Sequence, residues 1–203
     1  MSIMDYNAYT AQYLSETAAI AQTIDQSEIV KSMQILSGLK NSGGRLFILG
    51  VGGSAANASH AVNDFRKLAG IEAYAPTDNV SELTARINDE GWGTSFTKWL
   101  EVSRIGDKDA LLILSVGGGS ASASPNIVEA IDLAASRGAK VVAIVSRDGG
   151  HSKRRADACV LVPIADNKRI TPHAEGWQGV VWHLIVNAIA DCNAKQKKTP
   201  PGQ

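Results

Sequence analysis

Length, composition and charge limit what this chain can be. Its 203 residues include 20 lysines and arginines and 20 aspartates and glutamates, so the formal net charge is zero. This length favours one α/β domain with extra helices and argues against a second full domain. The balanced charge gives no general attraction to nucleic acid or to an anionic membrane, so we expect neither as a partner, and an anionic ligand would need a dedicated site.

The N-terminus and the cysteines indicate an intracellular protein. The segment MSIMDYNAYTAQ has no basic region followed by an apolar stretch, and no segment approaches about 18 consecutive apolar residues. Cys159 and Cys192 are isolated, which suggests neither a disulfide framework nor a zinc knuckle. We therefore expect a cytoplasmic protein with reduced thiols.

Residues 1–42 are predicted to form a pair of helices outside the sheet. Apolar residues recur at helical spacing over 4–40, and Asp25-Gln26-Ser27 interrupts them. Two interpretations of the apolar faces stay open: they cover their own domain, or they pack against another subunit.

A glycine turn after the first predicted strand is the most informative stretch of the chain. Residues 45–49 (RLFIL) form a short apolar run typical of a strand in a parallel sheet covered on both faces. Gly50, Gly52 and Gly53 let the backbone approach a ligand closely, and Ser54 stands where a helix begins and free N–H groups point outward. The stretch therefore predicts a site for an anion such as phosphate.

The helix after this turn carries a histidine and a carboxylate. His60 and Asp64 are spaced i, i+4, so both side chains leave the same helix face beside the glycine turn. This spacing is common in helices and is weak evidence by itself. It nevertheless places an imidazole and a carboxylate next to the predicted phosphate site.

The middle of the chain alternates predicted strands and helices. A second strand is predicted at 71–75 and a helix at 79–87. Residues 88–91 (NDEG) are predicted to break that helix, and 93–103 to form the next one. We expect the aromatic side chains of this last helix to pack in the core.

A second glycine turn follows the most apolar predicted strand. Residues 110–116 (ALLILSV) end at Gly117-Gly118-Gly119-Ser120, with Ser122 next, and Ser124-Pro125 is predicted to be the N-cap and first residue of a helix. The loop is either a flexible glycine-serine connection or a phosphate loop. Its position after a second central strand favours the phosphate loop, because ligands of open α/β sheets bind at the carboxyl ends of strands near a topological switch.

The last part of the chain completes the alternation. We predict a helix at 127–136, strands at 139–145 and 158–164, and a long final helix at 172–195. This order indicates parallel strands joined by right-handed crossovers. Residues 196–203 are predicted to be a flexible tail.

Three of the four histidines fall on the two predicted helices beside the glycine loops. The fourth, His151, follows a glycine turn and is interpreted as a loop residue. Two imidazoles and two carboxylates together suit either a divalent metal such as zinc or nickel, or metal-free acid–base chemistry at neutral pH. The candidate side chains are His60, Asp64, Glu175 and His183, with His173 nearby but without an assigned role.

Several segments together carry a family pattern. They are GVGGSAANASHAVND, INDEGW, LSVGGGS with SPNIVEA, SRDGG and TPHAEGWQGVVWHLIV. Their combination, over about residues 5–195, resembles the sugar isomerase (SIS) domain family and, within it, the sedoheptulose 7-phosphate (phosphoheptose) isomerases. The resemblance implies a sugar phosphate as substrate and a homotetramer with active sites assembled between subunits.

The resemblance also implies roles for particular residues. Ser54 and the loop 120–124 would hold the sugar phosphate, Asp89 would lie near the substrate, and Asp64 and His183 would be the catalytic acid–base pair. One zinc ion (Zn2+) per subunit would be bound by His60, Asp64, Glu175 and His183. The full set of substrate-binding candidates is Gly53, Ser54, Asn88, Asp89, Ser115, Gly118, Ser120, Ser122, Ser124 and Glu175.

Three departures from the family pattern bear on the identity of the sugar. Asp64 stands where glutamate is common, and Glu175 where many members have glutamine. The second loop has Ser115-Val116-Gly117-Gly118-Gly119-Ser120 in place of Ser-Thr-Ser-Gly-Asn-Ser. Phosphate would then depend more on backbone N–H groups and on the remaining serines.

The sequence thus predicts a three-layer αβα sandwich, flavodoxin-like, with a five-stranded parallel sheet, an N-terminal helical pair and a long C-terminal helix, in one domain over residues 1–195. The implied reaction converts sedoheptulose 7-phosphate to D-glycero-D-manno-heptose 7-phosphate through an enediol(ate), in nucleotide-activated heptose biosynthesis. The alternatives are a phosphosugar-binding regulator, a protein that binds a replication initiator, and an isomerase of another sugar phosphate. Retention of both histidines and both carboxylates favours an enzyme, because a binding module needs no proton-transfer groups.

Overall fold

The computed structural model describes residues 5–198, in which a central five-stranded sheet lies between layers of helices. The strands are β1 Leu46–Gly50, β2 Ala73–Tyr74, β3 Ala110–Leu114, β4 Lys140–Val145 and β5 Ala158–Leu161. Their spatial order is β2-β1-β3-β4-β5, and every neighbouring pair is parallel. The predicted sandwich with five parallel strands is confirmed.

The helices of the described residues cover both faces of this sheet. They are α1 Tyr6–Thr23, α2 Gln26–Ser42, α3 Gly53–Asp64, α4 Val80–Glu90, α5 Ser95–Val102, α6 Pro125–Ser136, α7 Gly150–Arg155 and α8 Ile170–Lys198. A five-residue π-helical turn, Phe65–Ala69, continues α3. Within the described residues, no helix is long and apolar enough to cross a membrane.

The central strands are apolar throughout because both of their faces are covered. Every residue of β1 and β3 is buried. Leu46 and Ile48 of β1 join a core formed with α2, α3 and α8, whereas Phe47 and Leu49 join a second core formed with α5 and α6. Alternate side chains of one strand point to opposite faces, so a run such as LFIL is required here.

The strand order reverses between β1 and β3. From β1 the chain continues to β2 on one side, and β3 lies on the other side of β1. Both glycine loops begin where these two central strands end, at Gly50 and after Leu114. The crevice at this reversal is where open α/β sheets bind their ligands.

The N-terminal helices pack on their own chain through their inner faces. Leu36 and Leu39 of α2 and Ile20 of α1 are buried in the core that contains α8. The outer faces expose Leu14 and Val30. For the inner faces, the structure therefore supports the interpretation that these helices cover their own domain. The outer faces are not covered by residues 5–198 of this chain.

Several element boundaries differ from the predictions. Residues 88–90 continue α4, which ends only at Gly91, where φ is 87°. Strands β2, β3 and β5 are shorter than predicted, and α8 begins two residues earlier, at Ile170. Residues 196–198, predicted as part of the tail, continue α8, and 199–203 lie outside the described residues.

A buried charged network joins α1 to the start of α8. The Glu16 carboxylate accepts hydrogen bonds from Nε and Nη2 of Arg169 at 2.8 and 2.6 Å, and His173 Nε2 lies 2.8 Å from it. Only 10% of the Glu16 side chain and 4% of the His173 side chain are exposed. Hydrogen bonds from Arg169, and then from His173, lower the pKa of Glu16 from 4.5 to about 2. His173 therefore has a structural partner.

The lowered pKa of Glu16 predicts how fold stability depends on pH. Because this pKa is lower in the folded chain, the network stabilises the fold above pH 4.5, and its contribution is lost as the pH falls towards 2. Glu16→Gln should lower the melting temperature by several degrees at pH 7, and the difference should close between pH 4.5 and 2. Thermal melts across this range provide the measurement.

The matched control for this prediction is Glu101→Gln. Glu101 pairs with Lys98 on the surface of α5, where both side chains are well exposed. This substitution should change the melting temperature little at any pH, because exposed ion pairs stabilise weakly. A pH-independent difference for Glu16→Gln would contradict the role given to Glu16.

Candidate active site

The first glycine turn is packed tightly against the start of α3. A Cβ atom on Gly50 would overlap the backbone of Ser54, so only glycine allows β1 to enter the helix here. Gly52, at φ 65°, turns the chain into α3. Ser54 is buried in the first turn of that helix. The predicted strand, turn and helix are therefore all observed, and the role of Ser54 in phosphate binding stays a prediction.

Three of the four predicted metal or catalytic side chains come together on α3 and α8. Asp64 Oδ2 lies 3.9 Å from His60 Nε2 and 3.7 Å from His183 Nε2. One ligand atom from each residue falls within 4.8 Å of the others. Trp182, fully buried beneath them, stacks on His183 and meets the edge of His60. The buried indole thus holds both imidazoles at the surface beside Asp64.

A backbone hydrogen bond defines the tautomer of His183. Its Nδ1 lies 2.7 Å from the carbonyl oxygen of Gly179, one turn earlier on α8. A carbonyl oxygen can only accept, so in the neutral imidazole Nδ1 carries the proton and Nε2 keeps its lone pair. That lone pair faces Asp64 and is available to accept a proton or to bind a metal.

The fourth predicted ligand, Glu175, is not a member of this three-residue group. Its carboxylate lies over the start of α3, where a Cβ atom on Gly53 would meet Oε2 at 2.5 Å. Asn57 donates from Nδ2 to the Glu175 carbonyl oxygen at 3.0 Å and fixes this part of α8 to α3. Glu175 therefore lies outside the cluster, because the missing side chain of Gly53 leaves room for its carboxylate at the start of α3, and its role as a fourth metal ligand stays a prediction.

The contact between Gly53 and Glu175 leads to a prediction. In Gly53→Ala the new methyl group would displace the Glu175 carboxylate, the mobile end of its side chain, so folding should be little affected. Displacement of a group near the substrate by about 1 Å can cost up to about a hundredfold in rate. We expect activity to fall at least tenfold with an unchanged melting temperature, as measured by turnover assays and thermal melts.

The control for this substitution is Gly176→Ala. Gly176 follows Glu175 on α8, and a Cβ atom there would meet nothing within 4 Å. Alanine is favoured over glycine inside a helix, so this variant should be at least as stable as the unchanged protein. Equal activity in the two glycine variants would contradict the importance of the carboxylate position.

The second glycine loop is held against the turn after β4. The carbonyl oxygen of Gly118 accepts hydrogen bonds from the N–H and hydroxyl groups of Ser152 at 2.9 and 2.8 Å. Ser115 Oγ accepts from Gly118 N–H at 3.1 Å, and Ser120 Oγ from Ala123 N–H at 3.0 Å. Both serine hydroxyls act as acceptors in these bonds. The Ser115 proton is thus available to donate to an anion, whereas that of Ser120 is directed either to an anion or to Ser122 Oγ.

Ser122 and Ser124 form the outer part of this loop. Ser122 Oγ lies 3.3 Å from Ser120 Oγ. Ser124 is the N-cap residue of α6 and Pro125 its first residue, as predicted. The Ser124 side chain makes no capping hydrogen bond, and its backbone is left-handed at φ 58°, whereas most N-cap residues are extended.

Two arginines that the sequence analysis did not single out share a cavity with these serines. The cavity has a volume of about 290 Å³, and Arg147 and Arg154 line it together with Ser115, Ser120 and Ser124. Arg147 lies in SRDGG, one of the segments that carry the family resemblance, and that membership could have marked it as a candidate site residue. Nothing in the sequence marked Arg154 in this way.

Asn88 and Asp89 are not brought into contact with the histidine cluster. Both are exposed near the end of α4, where Asn88 Nδ2 donates to Asp89 Oδ1 at 2.7 Å. Within the part of the chain that the structure describes, no hydrogen bond or ion pair joins their side chains to α3, α8 or the second loop. Their place near the substrate stays a prediction.

The other histidines lie outside the cluster. His173 is bonded to Glu16, as described above. His151 lies in α7 and not in a loop, because Gly149 and Gly150 turn the chain directly into that helix. Its Nε2 lies 2.9 Å from Asp132 Oδ1 on α6.

The clustered side chains fit a zinc ion. Two ligand atoms at about 2.1 Å from a tetrahedral zinc are separated by about 3.4 Å, close to the 3.7 and 3.9 Å between Asp64 and the two imidazoles. Two nitrogens and one oxygen also match catalytic zinc sites, which keep one position open. His60 and His183 are 58% and 44% exposed, so a substrate could reach that position.

Comparison with known proteins assigns the domain family of this chain. The model of the SIS domain family matches residues 8–146, which is more than half of the chain. The chain is therefore a SIS-domain protein, as its motifs predicted.

The relatives narrow the assignment. The phosphoheptose isomerase of Chlorobium phaeobacteroides is 35% identical over 211 aligned positions, covering 97% of this chain and 88% of that protein. That of Syntrophotalea carbinolica is 30% identical and covers 90% and 88%. The solved structure of phosphoheptose isomerase GmhA from Neisseria gonorrhoeae has a TM-score of 0.79 at 26% identity and covers 92% and 100%. The chain belongs to the phosphoheptose isomerase family.

Proposed function

We propose that this protein converts sedoheptulose 7-phosphate to D-glycero-D-manno-heptose 7-phosphate in nucleotide-activated heptose biosynthesis. The observation that carries the proposal is the cluster of His60, Asp64 and His183, in a chain that has two glycine-serine loops and belongs to the phosphoheptose isomerase family. The loops offer hydroxyl and N–H donors for the phosphate group. The cluster offers side chains for proton transfer or for a metal.

The proposed reaction moves hydrogen within the sugar without changing its formula. A proton leaves C1 of the ketose to give an enediol(ate), a proton is added at C2, and the hydroxyl proton of O1 is replaced by one on O2. A base has to remove the C1 proton, and a charged or hydrogen-bonding group has to stabilise the enediolate.

In the metal-free protein, His183 is the base and Asp64 its partner. The lone pair on His183 Nε2 is held in place by the bond from Nδ1 to Gly179. After His183 accepts the C1 proton, the Asp64 carboxylate at 3.7 Å stabilises the imidazolium. The same imidazolium then returns a proton to C2.

We also propose one zinc ion per subunit, held by His60, Asp64 and His183. When bound, zinc supplies a Lewis acid for the ketone oxygen and the enediolate. The lone pair of His183 is then engaged and cannot accept a proton. Glu175, which lies outside the cluster, is the free carboxylate that takes over proton transfer in that state.

Metal analysis of variants tests the zinc proposal independently of activity. The purified protein should contain about one zinc per chain, and His60→Ala should lose most of it, because a two-residue site binds zinc weakly. Glu175→Gln should keep its zinc. His151→Ala is the control, since His151 pairs with Asp132 away from the cluster. Full zinc content in His60→Ala, or its loss from Glu175→Gln, would contradict the ligand set.

We also propose that the protein forms a homotetramer and that it is located in the cytoplasm. A groove of about 390 Å³ between α2 and α8 is lined by apolar residues that include Val30, Met33 and Ile189. Burial of such a surface against another copy would stabilise an oligomer. Light scattering on the protein as it elutes from a size-exclusion column measures the oligomeric state directly. A monomer at micromolar concentration would exclude the tetramer.

The function itself is tested with metal-analysed protein and sedoheptulose 7-phosphate in deuterated water. NMR follows deuterium at the carbon next to the carbonyl and the appearance of the aldose. Formation of the aldose would establish the isomerase. Binding without exchange or product would exclude this substrate and favour a regulator or a different sugar phosphate.

A further inference from the structure

The two arginines in the cavity beside the second glycine loop have no anionic partner. Within residues 5–198, neither Arg147 nor Arg154 forms a side-chain hydrogen bond or an ion pair, and both are exposed. Arg155, on the same short helix, pairs instead with Asp132 on α6. The two guanidinium groups are therefore free to bind a ligand.

The lining of this cavity carries a net positive charge. Its ionisable residues are Arg147, Arg154 and Asp148. Asp148 Oδ1 already accepts a hydrogen bond from the backbone N–H of Gly150 at 3.1 Å. Two guanidinium groups and one carboxylate leave one positive charge in excess, which favours an anionic ligand.

The uncharged lining residues supply complementary donors. Ser115 accepts a backbone hydrogen bond through Oγ and keeps its proton for a ligand, and the Ser120–Ser122 hydroxyl pair has a further proton to donate. The three preceding glycines, Gly117, Gly118 and Gly119, carry no side chain that could contribute. Guanidinium groups bind phosphate oxygens in pairs and make strong, charge-assisted hydrogen bonds. The arginines can therefore provide the charged side-chain donors that the glycines lack.

The backbone at this cavity is unusual for residues with side chains. Within the described residues, three non-glycine residues have positive φ: Arg104, Ser124 and Arg147. Two of the three, Ser124 and Arg147, line this one cavity. A left-handed backbone costs roughly 1–2 kcal/mol for an L-residue, and such residues concentrate at ligand sites.

We propose that Arg147 and Arg154 bind the phosphate group of the sugar phosphate, together with the serines of the second loop. They are then specificity residues that distinguish a phosphorylated ketose from the same ketose without phosphate. The sugar in this inference rests on the proposed function, whereas the binding of phosphate does not.

The test compares Arg147→Ala, Arg154→Ala and the control Arg155→Ala. With sedoheptulose 7-phosphate, each of the first two should raise KM about tenfold and change kcat less than threefold, because charged hydrogen bonds to the substrate are lost. Arg155→Ala should leave both constants within twofold. With sedoheptulose lacking phosphate, all three variants should match the unchanged protein. An unchanged KM for Arg147→Ala and Arg154→Ala would overturn the proposal.

A binding measurement separates this inference from the proposed reaction. Titration calorimetry with inorganic phosphate should give a dissociation constant about tenfold higher for Arg147→Ala and for Arg154→Ala than for Arg155→Ala or the unchanged protein. If the dissociation constants differ in this way but the protein lacks isomerase activity, the phosphate site is supported and the proposed isomerase function is rejected. Equal phosphate affinity in all four proteins, or no phosphate binding by any of them, would overturn the phosphate site whatever the activity.

Discussion

Replacing His183 by alanine is expected to abolish turnover while leaving the fold intact. In the metal-free protein the substitution removes the base, and in a zinc-bound protein it removes a ligand, so both mechanisms predict a large loss. We expect kcat/KM to fall at least a thousandfold. The His183 side chain is 44% exposed, so its removal leaves no buried cavity, and the melting temperature should change by no more than about 2 °C.

His151→Ala is the control for this variant because it removes an imidazole that lies outside the cluster. His151 contacts Asp132 and is absent from the cluster. Turnover of sedoheptulose 7-phosphate and exchange of deuterium from the solvent are measured for both variants. Exchange that persists in His183→Ala without product would show that another group removes the C1 proton, and full activity would reject the assignment of His183.

Gly118→Ala is expected to have the largest effect on stability among the substitutions considered. Gly118 has φ 71°, and a Cβ atom there would overlap the carbonyl oxygen of Gly149, so two rigid backbone segments would have to separate. The left-handed backbone and the overlap together should destabilise the fold by about 3 kcal/mol. For a chain of this length that corresponds to a melting temperature lower by about 6–12 °C. Urea and thermal unfolding measure both quantities.

The neighbouring glycine provides a matched control for the same loop. A Cβ atom on Gly117 would meet nothing within 4 Å, and Gly117 is not among the glycines with positive φ. Gly117→Ala should therefore change the free energy of unfolding by no more than about 0.5 kcal/mol. Similar stabilities for the two variants would show that the loop is not held against the turn after β4 as described.

Local patterns in the sequence were sufficient to predict the sheet and the two loops. A parallel strand covered on both faces has to be apolar at nearly every position, as in residues 46–49 and 110–114. A tight passage from strand to helix requires glycine, as at Gly50. The pairing of His60 with Asp64 follows from the helical repeat alone. Each of these requirements involves residues a few positions apart.

The sequence was less informative where a contact joins distant segments. Glu16 and His173 are 157 residues apart, and nothing near either residue indicated that they meet. The turn predicted at residues 88–91 failed because Asn88 and Asp89 are tolerated inside a helix until Gly91 ends it. The predicted position of both helices beside the glycine loops grouped His183 with the α3 residues, and the family resemblance implied their roles.

The composition of the candidate site was decided by how α8 packs on α3. The buried ring of Trp182 sets the position of His183 over His60, and the absence of a side chain at Gly53 sets the position of Glu175. Helical spacing alone predicts that Glu175 and His183 share one side of α8. Whether both side chains reach the same metal depends on the position of α3. In the tertiary structure His183 lies beside His60 and Asp64, whereas the Glu175 carboxylate lies over Gly53 at the start of α3.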